Sequence, residues 1–168
     1  AVDYLKADLI AAFLIGGIFT WLIHASIAAL LLIIAFLAQG IIPFDVAVAL
    51  VLGANVGGAF IAVSLTRRAD KVARLVPIGN LILRGIIASL LLIAAEIWPI
   101  SEIFLEEANV QYLVGFHVGL NFALVVLGLP LLGRVEIILD KLISSDDYGS
   151  NGIVSNRQSI LEDKKTHI

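Results

Sequence analysis

No cysteine and no methionine occur in this 168-residue chain, and only 15% of its residues are charged. Soluble domains average about 25% charged residues, so a solvated surface of ordinary extent is excluded. Without cysteine the chain has neither a disulfide framework nor a thiolate metal site. There is no metal-ligand cluster of other donors and no Ser/His/Asp set with a nucleophile turn, so an enzyme is not expected. A Walker-type phosphate loop is also missing, because Gly53 to Gly58 is followed by Ala59 and Phe60 rather than Lys and Ser/Thr. The basic residues form one short cluster with no interleaved aromatics, which speaks against nucleic acid as a partner. No organic cofactor is implied. Ala1 is not an initiator, and residues 1–8 lack the basic n-region of a signal peptide. The chain is therefore expected to be the C-terminal portion of a larger protein or one piece of a multi-chain assembly.

What the chain has is apolar length. It is 60% hydrophobic, with a mean hydropathy of +1.04. Four apolar runs cover residues 9–39, 44–66, 72–98 and 110–133. Each reaches or exceeds the roughly 20 residues that cross a bilayer. These runs predict an all-α, polytopic membrane protein with a transmembrane domain over 1–143. Residues 144–168 are rich in Ser, Asn and Asp and read as a disordered cytoplasmic tail. Arg67, Arg68, Lys71 and Arg74 place the loop 67–74 in the cytoplasm by the positive-inside rule. The segment with Glu102, Glu106 and Glu107 has no Lys or Arg and belongs outside, flanked by Trp98 and Tyr112.

Two runs are interrupted by polar or flexible residues. The first is too long for one untilted span, and its middle carries Thr20, His24 and Ser26. A re-entrant helical hairpin with its tip near 23–27 fits this pattern; a single long tilted helix is the alternative. The second run contains Gly53-Ala54-Asn55-Val56-Gly57-Gly58. Read as a broken helix, it would survive only where protein or a water-filled cavity covers the freed backbone. Such breaks hold ions and substrates in secondary transporters.

Ionisable and amide side chains also fall at membrane depth. Arg84 lies about 15 Å along a helix from Arg74, where an arginine costs at least about 2.5–3.5 kcal/mol. It either attracts an anion into a polar cavity or bonds the carbonyls of a broken helix. Asn80 lies one turn away on the same face. His117 and Asn121 share a face of the last span, as a further cavity wall or as helix–helix hydrogen-bonding groups. His24 is a candidate for proton coupling by residue type, but a structural role is the plainer reading.

The hairpin tip, Gly40-Ile41-Ile42-Pro43-Phe44, Leu52-Gly53-Ala54-Asn55-Val56-Gly57-Gly58 and Arg67-Arg68 together resemble the sodium-dependent phosphate cotransporter family, the type II symporters and their bacterial relatives. Phe116-His117 followed by Asn121 resembles the last membrane segment of bacterial members. The resemblance implies one half of an inverted-repeat transporter, the second repeat. The first repeat would lie upstream or in a partner chain, and a homodimer is one arrangement that completes it. It implies symport of inorganic phosphate or a related anion with sodium across a bacterial inner membrane. It assigns substrate or ion binding to Thr20, Ser26, Gly53, Asn55 and Gly57, with sodium at Ser26 and Asn55; His24, Gly58 and Arg84 join them as candidates at positions that depart from the family, Arg84 as an added cation that attracts the anion. The tip His24-Ala25-Ser26-Ile27 keeps one family serine, Gly58 stands where a threonine is usual, and Arg84 stands where relatives often carry Asn. The altered tip leaves room for a non-transporting membrane subunit that serves as anchor or sensor.

Overall fold

The computed structural model describes residues 8–97 and 110–130, apart from the side chains of Lys71 and Val72. Within them the chain is helical and holds no strand. In chain order the helices are α1 (Leu9–Ile23), α2 (Ser26–Ala38), α3 (Phe44–Leu65), α4 (Lys71–Ile97) and α5 (Val110–Pro130). The acidic outer segment with Trp98 and the tail 144–168 lie outside the described residues.

The first apolar run is two helices. Asp8 caps α1 by accepting from the Ala11 amide at 2.9 Å, which satisfies one of the orphan donors of a helix start. The helix stops at His24, whose φ of 53° and ψ of 27° are left-handed. Ala25 is extended, and α2 begins at Ser26. At 15 and 13 residues the two are about 22 and 20 Å long. Each falls short of the roughly 30 Å hydrocarbon core. Gly16 packs on Leu50 and Gly17 on Gly53 and Gly57, so α1 runs alongside α3 in the same direction. Ser26 then meets Gly58, and Leu30 shares a wall with Val51 and Ala54, so α2 runs back. The tip at Gly58 stops seven residues before the end of α3, about 10 Å short. This is a hairpin that enters and returns, not a single tilted span.

Gly40, at φ 67°, lets the chain turn out of α2, and the Ile41 amide bonds back to the Phe36 carbonyl at 2.9 Å. Pro43 then precedes the first residue of α3, where a missing N–H costs nothing. The expected break at Gly53–Gly58 is not there, because α3 is one helix from Phe44 to Leu65. Glycine is tolerated in its interior because the neighbouring backbone comes too close for a side chain. A Cβ on Gly53 would collide with the Phe13 carbonyl oxygen, and one on Gly57 with that of Gly17. Glycines facing one another across two helices in this way let membrane helices pack at short range. The helix break of this chain lies at His24–Ala25 instead.

Helix α3 is the centre of the fold. Its buried residues run from Phe44 through Ala59 and supply about half of the core. Helices α3, α4 and α5 are long and apolar enough to cross a membrane. Pro77 lies inside α4 without ending it, as membrane helices allow.

Candidate functional site

Four helices converge on one polar cavity of about 370 Å³. The hairpin contributes His24 and Ser26, α3 contributes Asn55 and Gly58, α4 contributes Asn80 and Arg84, and α5 contributes His117 and Asn121. Eight of the sequence-predicted residues thus meet in one place. Three do not line it. Gly53 and Gly57 belong to the α1–α3 seam. Thr20 is fully buried, and its hydroxyl has no hydrogen-bond partner among the described residues.

Arg84 organises the cavity. Its Nε donates to Asn80 Oδ1 at 3.1 Å, one turn back on α4. Its Nη1 donates to Asn55 Oδ1 at 2.5 Å and to Asn121 Oδ1 at 3.1 Å. Three helices are therefore tied through one guanidinium. No carboxylate among the described residues lines the cavity, so these neutral oxygens solvate the charge without cancelling it. The two N–H groups on Nη2 have no protein partner among the described residues.

The asparagine amides are oriented by this arrangement. With both oxygens on Arg84, the Asn55 Nδ2 lies 3.4 Å from His117 Nδ1. The Asn121 Nδ2 lies 3.2 Å from His117 Nε2 and also donates to the His117 carbonyl at 2.8 Å. The Asn55 Nδ2 also donates to the Val51 carbonyl at 3.5 Å. A neutral imidazole has one acceptor nitrogen. His117 can therefore accept from one of the two amides at a time, which leaves an N–H of the other, with those on Arg84 Nη2, without an acceptor among the described residues. An oxyanion is the ligand such a surface fits.

Sequence reasoning did not find the seam or the pairing of Arg84 with Asn55. A signal for the seam was present in Gly16-Gly17 and in the four-residue spacing of Gly53 and Gly57. For the pairing there was none, since 29 residues separate the partners.

Comparison with known proteins agrees with this picture. The Na+/Pi-cotransporter family matches residues 2–134. The chain belongs to this family. Among relatives, YjbB of Escherichia coli strain K12, named as a candidate inorganic phosphate export protein, is 30% identical over 128 residues, 76% of this chain and 24% of its own length. The YjbB of Salmonella typhimurium strain LT2 is 34% identical over 119 residues, 70% of this chain and 22% of its own. The chain thus spans about a quarter of the length of these relatives. No solved structure matches it.

Proposed function

We propose that this chain is the second repeat of a sodium-coupled symporter for inorganic phosphate or a closely related oxyanion, with Arg84 as the substrate-binding cation. The observation that carries the reading is the Nη2 edge of Arg84, which has no hydrogen-bond partner among the described residues, beside a cavity that none of their carboxylates lines. The family supports phosphate and sodium, and the name of its YjbB relatives supports phosphate. Direction does not follow from the site, because a coupled carrier runs down the sum of its gradients. We place the loop 67–74 at the cytoplasmic face from its basic residues.

Asn55 is the link between ion and substrate in this proposal. Its carbonyl oxygen accepts from the guanidinium. A sodium ion on the same oxygen would lie within about 4 Å of a like charge, a repulsion of about 4 kcal/mol at an effective dielectric of 20. Phosphate bridging Arg84 offsets that charge and draws the guanidinium off Asn55. The freed oxygen and the Ser26 hydroxyl then serve sodium. Binding of one ligand therefore favours the other. Alternating access would follow from movement of this repeat against its counterpart.

The test is radiolabelled phosphate uptake by proteoliposomes of the full-length protein, with and without a sodium gradient. Sodium-driven uptake supports the reading. Uptake indifferent to sodium removes the coupling step. A folded, inserted protein that moves neither phosphate nor sulfate nor arsenate would favour the anchor or sensor role.

A further inference from the structure

An apolar groove lies on the far side of Arg84, between α4 and α5, with a volume of about 600 Å³. Val76, Ile82 and Ile86 of α4 and Val125 and Leu129 of α5 line it, and all five are exposed. Gly128 narrows the gap at its base, where a Cβ would come within 3.2 Å of the Leu83 side chain.

The groove has a direction. Its lining includes Ala62 near the end of α3, Val76 in the second turn of α4 and Leu129 beside the end of α5. All three mark the end of the bundle at which the α3–α4 loop lies. That loop carries Arg67 and Arg68, and Arg74 follows in the first turn of α4; all three are exposed. From Val76 to Ile86 is about 15 Å of helix, half of the roughly 30 Å hydrocarbon core. The same end of the bundle thus carries three exposed arginines, with Asp70 among them, and the shallow end of an apolar slot about half as long as the hydrocarbon core is thick.

The groove shares Ala62, Asn80 and Arg84 with the polar cavity. Three amide oxygens of the cavity wall bond the guanidinium, and the methylene stem is the apolar part of an arginine.

We propose that an anionic phospholipid occupies this groove, with its phosphate on Arg67, Arg68 and Arg74 and one acyl chain between α4 and α5. The charge at the mouth selects an anionic lipid over a zwitterionic one. Each interfacial arginine is worth about a fivefold gain in binding. The acyl chain packs on the stem of Arg84 and braces the residue whose other end faces the cavity. The lipid site does not depend on the transport reading, and its test reads lipid binding alone.

Native mass spectrometry of the full-length protein, titrated with dioleoyl-phosphatidylglycerol and dioleoyl-phosphatidylcholine, measures the selectivity. Phosphatidylglycerol is expected to be retained at least about tenfold more tightly. The variant Arg67→Gln/Arg68→Gln/Arg74→Gln is expected to erase that preference, and Val125→Trp to weaken both lipids by filling the slot. Photolabelling of the wild type with phosphatidylglycerol carrying a diazirine on its acyl chain needs no variant to fold. Adducts are expected within 76–86 and 124–129. Equal retention of the two lipids overturns the proposal. So does a lack of adducts in those segments, which would mean that other parts of the protein cover the groove.

Discussion

An arginine in the middle of an apolar helix costs about 2.5–3.5 kcal/mol even on lenient insertion scales. In this chain three amide oxygens offset that cost at Arg84, since hydrogen bonds to a charged group are worth about 1.5–3 kcal/mol each. Neutral acceptors leave the positive charge in place, where a carboxylate would cancel it; the proposed anion site depends on that charge. Arg84→Gln is therefore expected to weaken phosphate binding by about tenfold to a hundredfold. Arg84→Lys restores the charge but not the planar fork, and should recover only part of the affinity. Asn121→Asp puts a carboxylate where Nη1 donates at 3.1 Å. That variant should bind phosphate at least about tenfold more weakly while remaining folded, as equilibrium binding and size-exclusion chromatography would show. Retained affinity in Asn121→Asp would mean that the anion does not need a free positive charge.

At the scale of the element, glycine was the residue hardest to read. A glycine in an apolar run marks either a break or a close approach, and the sequence alone does not separate them. At Gly53–Gly58 the packing of α1 decided for close approach, and the helix stayed whole. The hairpin was legible because an overlong apolar run with three polar side chains at its middle fits poorly in one lipid-facing helix. Its tip is now fixed by the left-handed His24. Gly53→Leu should destabilise the protein by several kcal/mol, since its Cβ would collide with the α1 backbone and nothing flexible stands there to yield. Gly85→Ala is the matched control, because no atom lies within 4 Å of its added Cβ and alanine favours helix by about 1 kcal/mol. A thermal melt of both variants checks the pair. Equal melting temperatures would show that the α1–α3 seam does not hold the hairpin.

At the scale of the molecule, the positions of the apolar runs that form the described helices follow from hydropathy, and so does the placing of Arg84 far from either end of its helix. The convergence of the hairpin tip, Asn55, Arg84 and Asn121 does not follow, because it depends on how four helices cross. Neighbouring partners such as Asn80 and Arg84, or His117 and Asn121, could be read from four-residue spacing. Those 29 and 37 residues apart could not. Water access to the cavity can be tested directly, because this chain has no cysteine of its own. Ser26→Cys, at an exposed position on the cavity wall, should react with a membrane-impermeant thiol reagent. Val48→Cys, at 1% exposure in the core, should not. The central claim is that the guanidinium of Arg84 holds the transported anion. Equilibrium binding of radiolabelled phosphate to the purified full-length protein, wild type against Arg84→Gln, tests it most directly. The account predicts saturable binding that falls by about tenfold or more in the variant; equal binding by two folded proteins would contradict it.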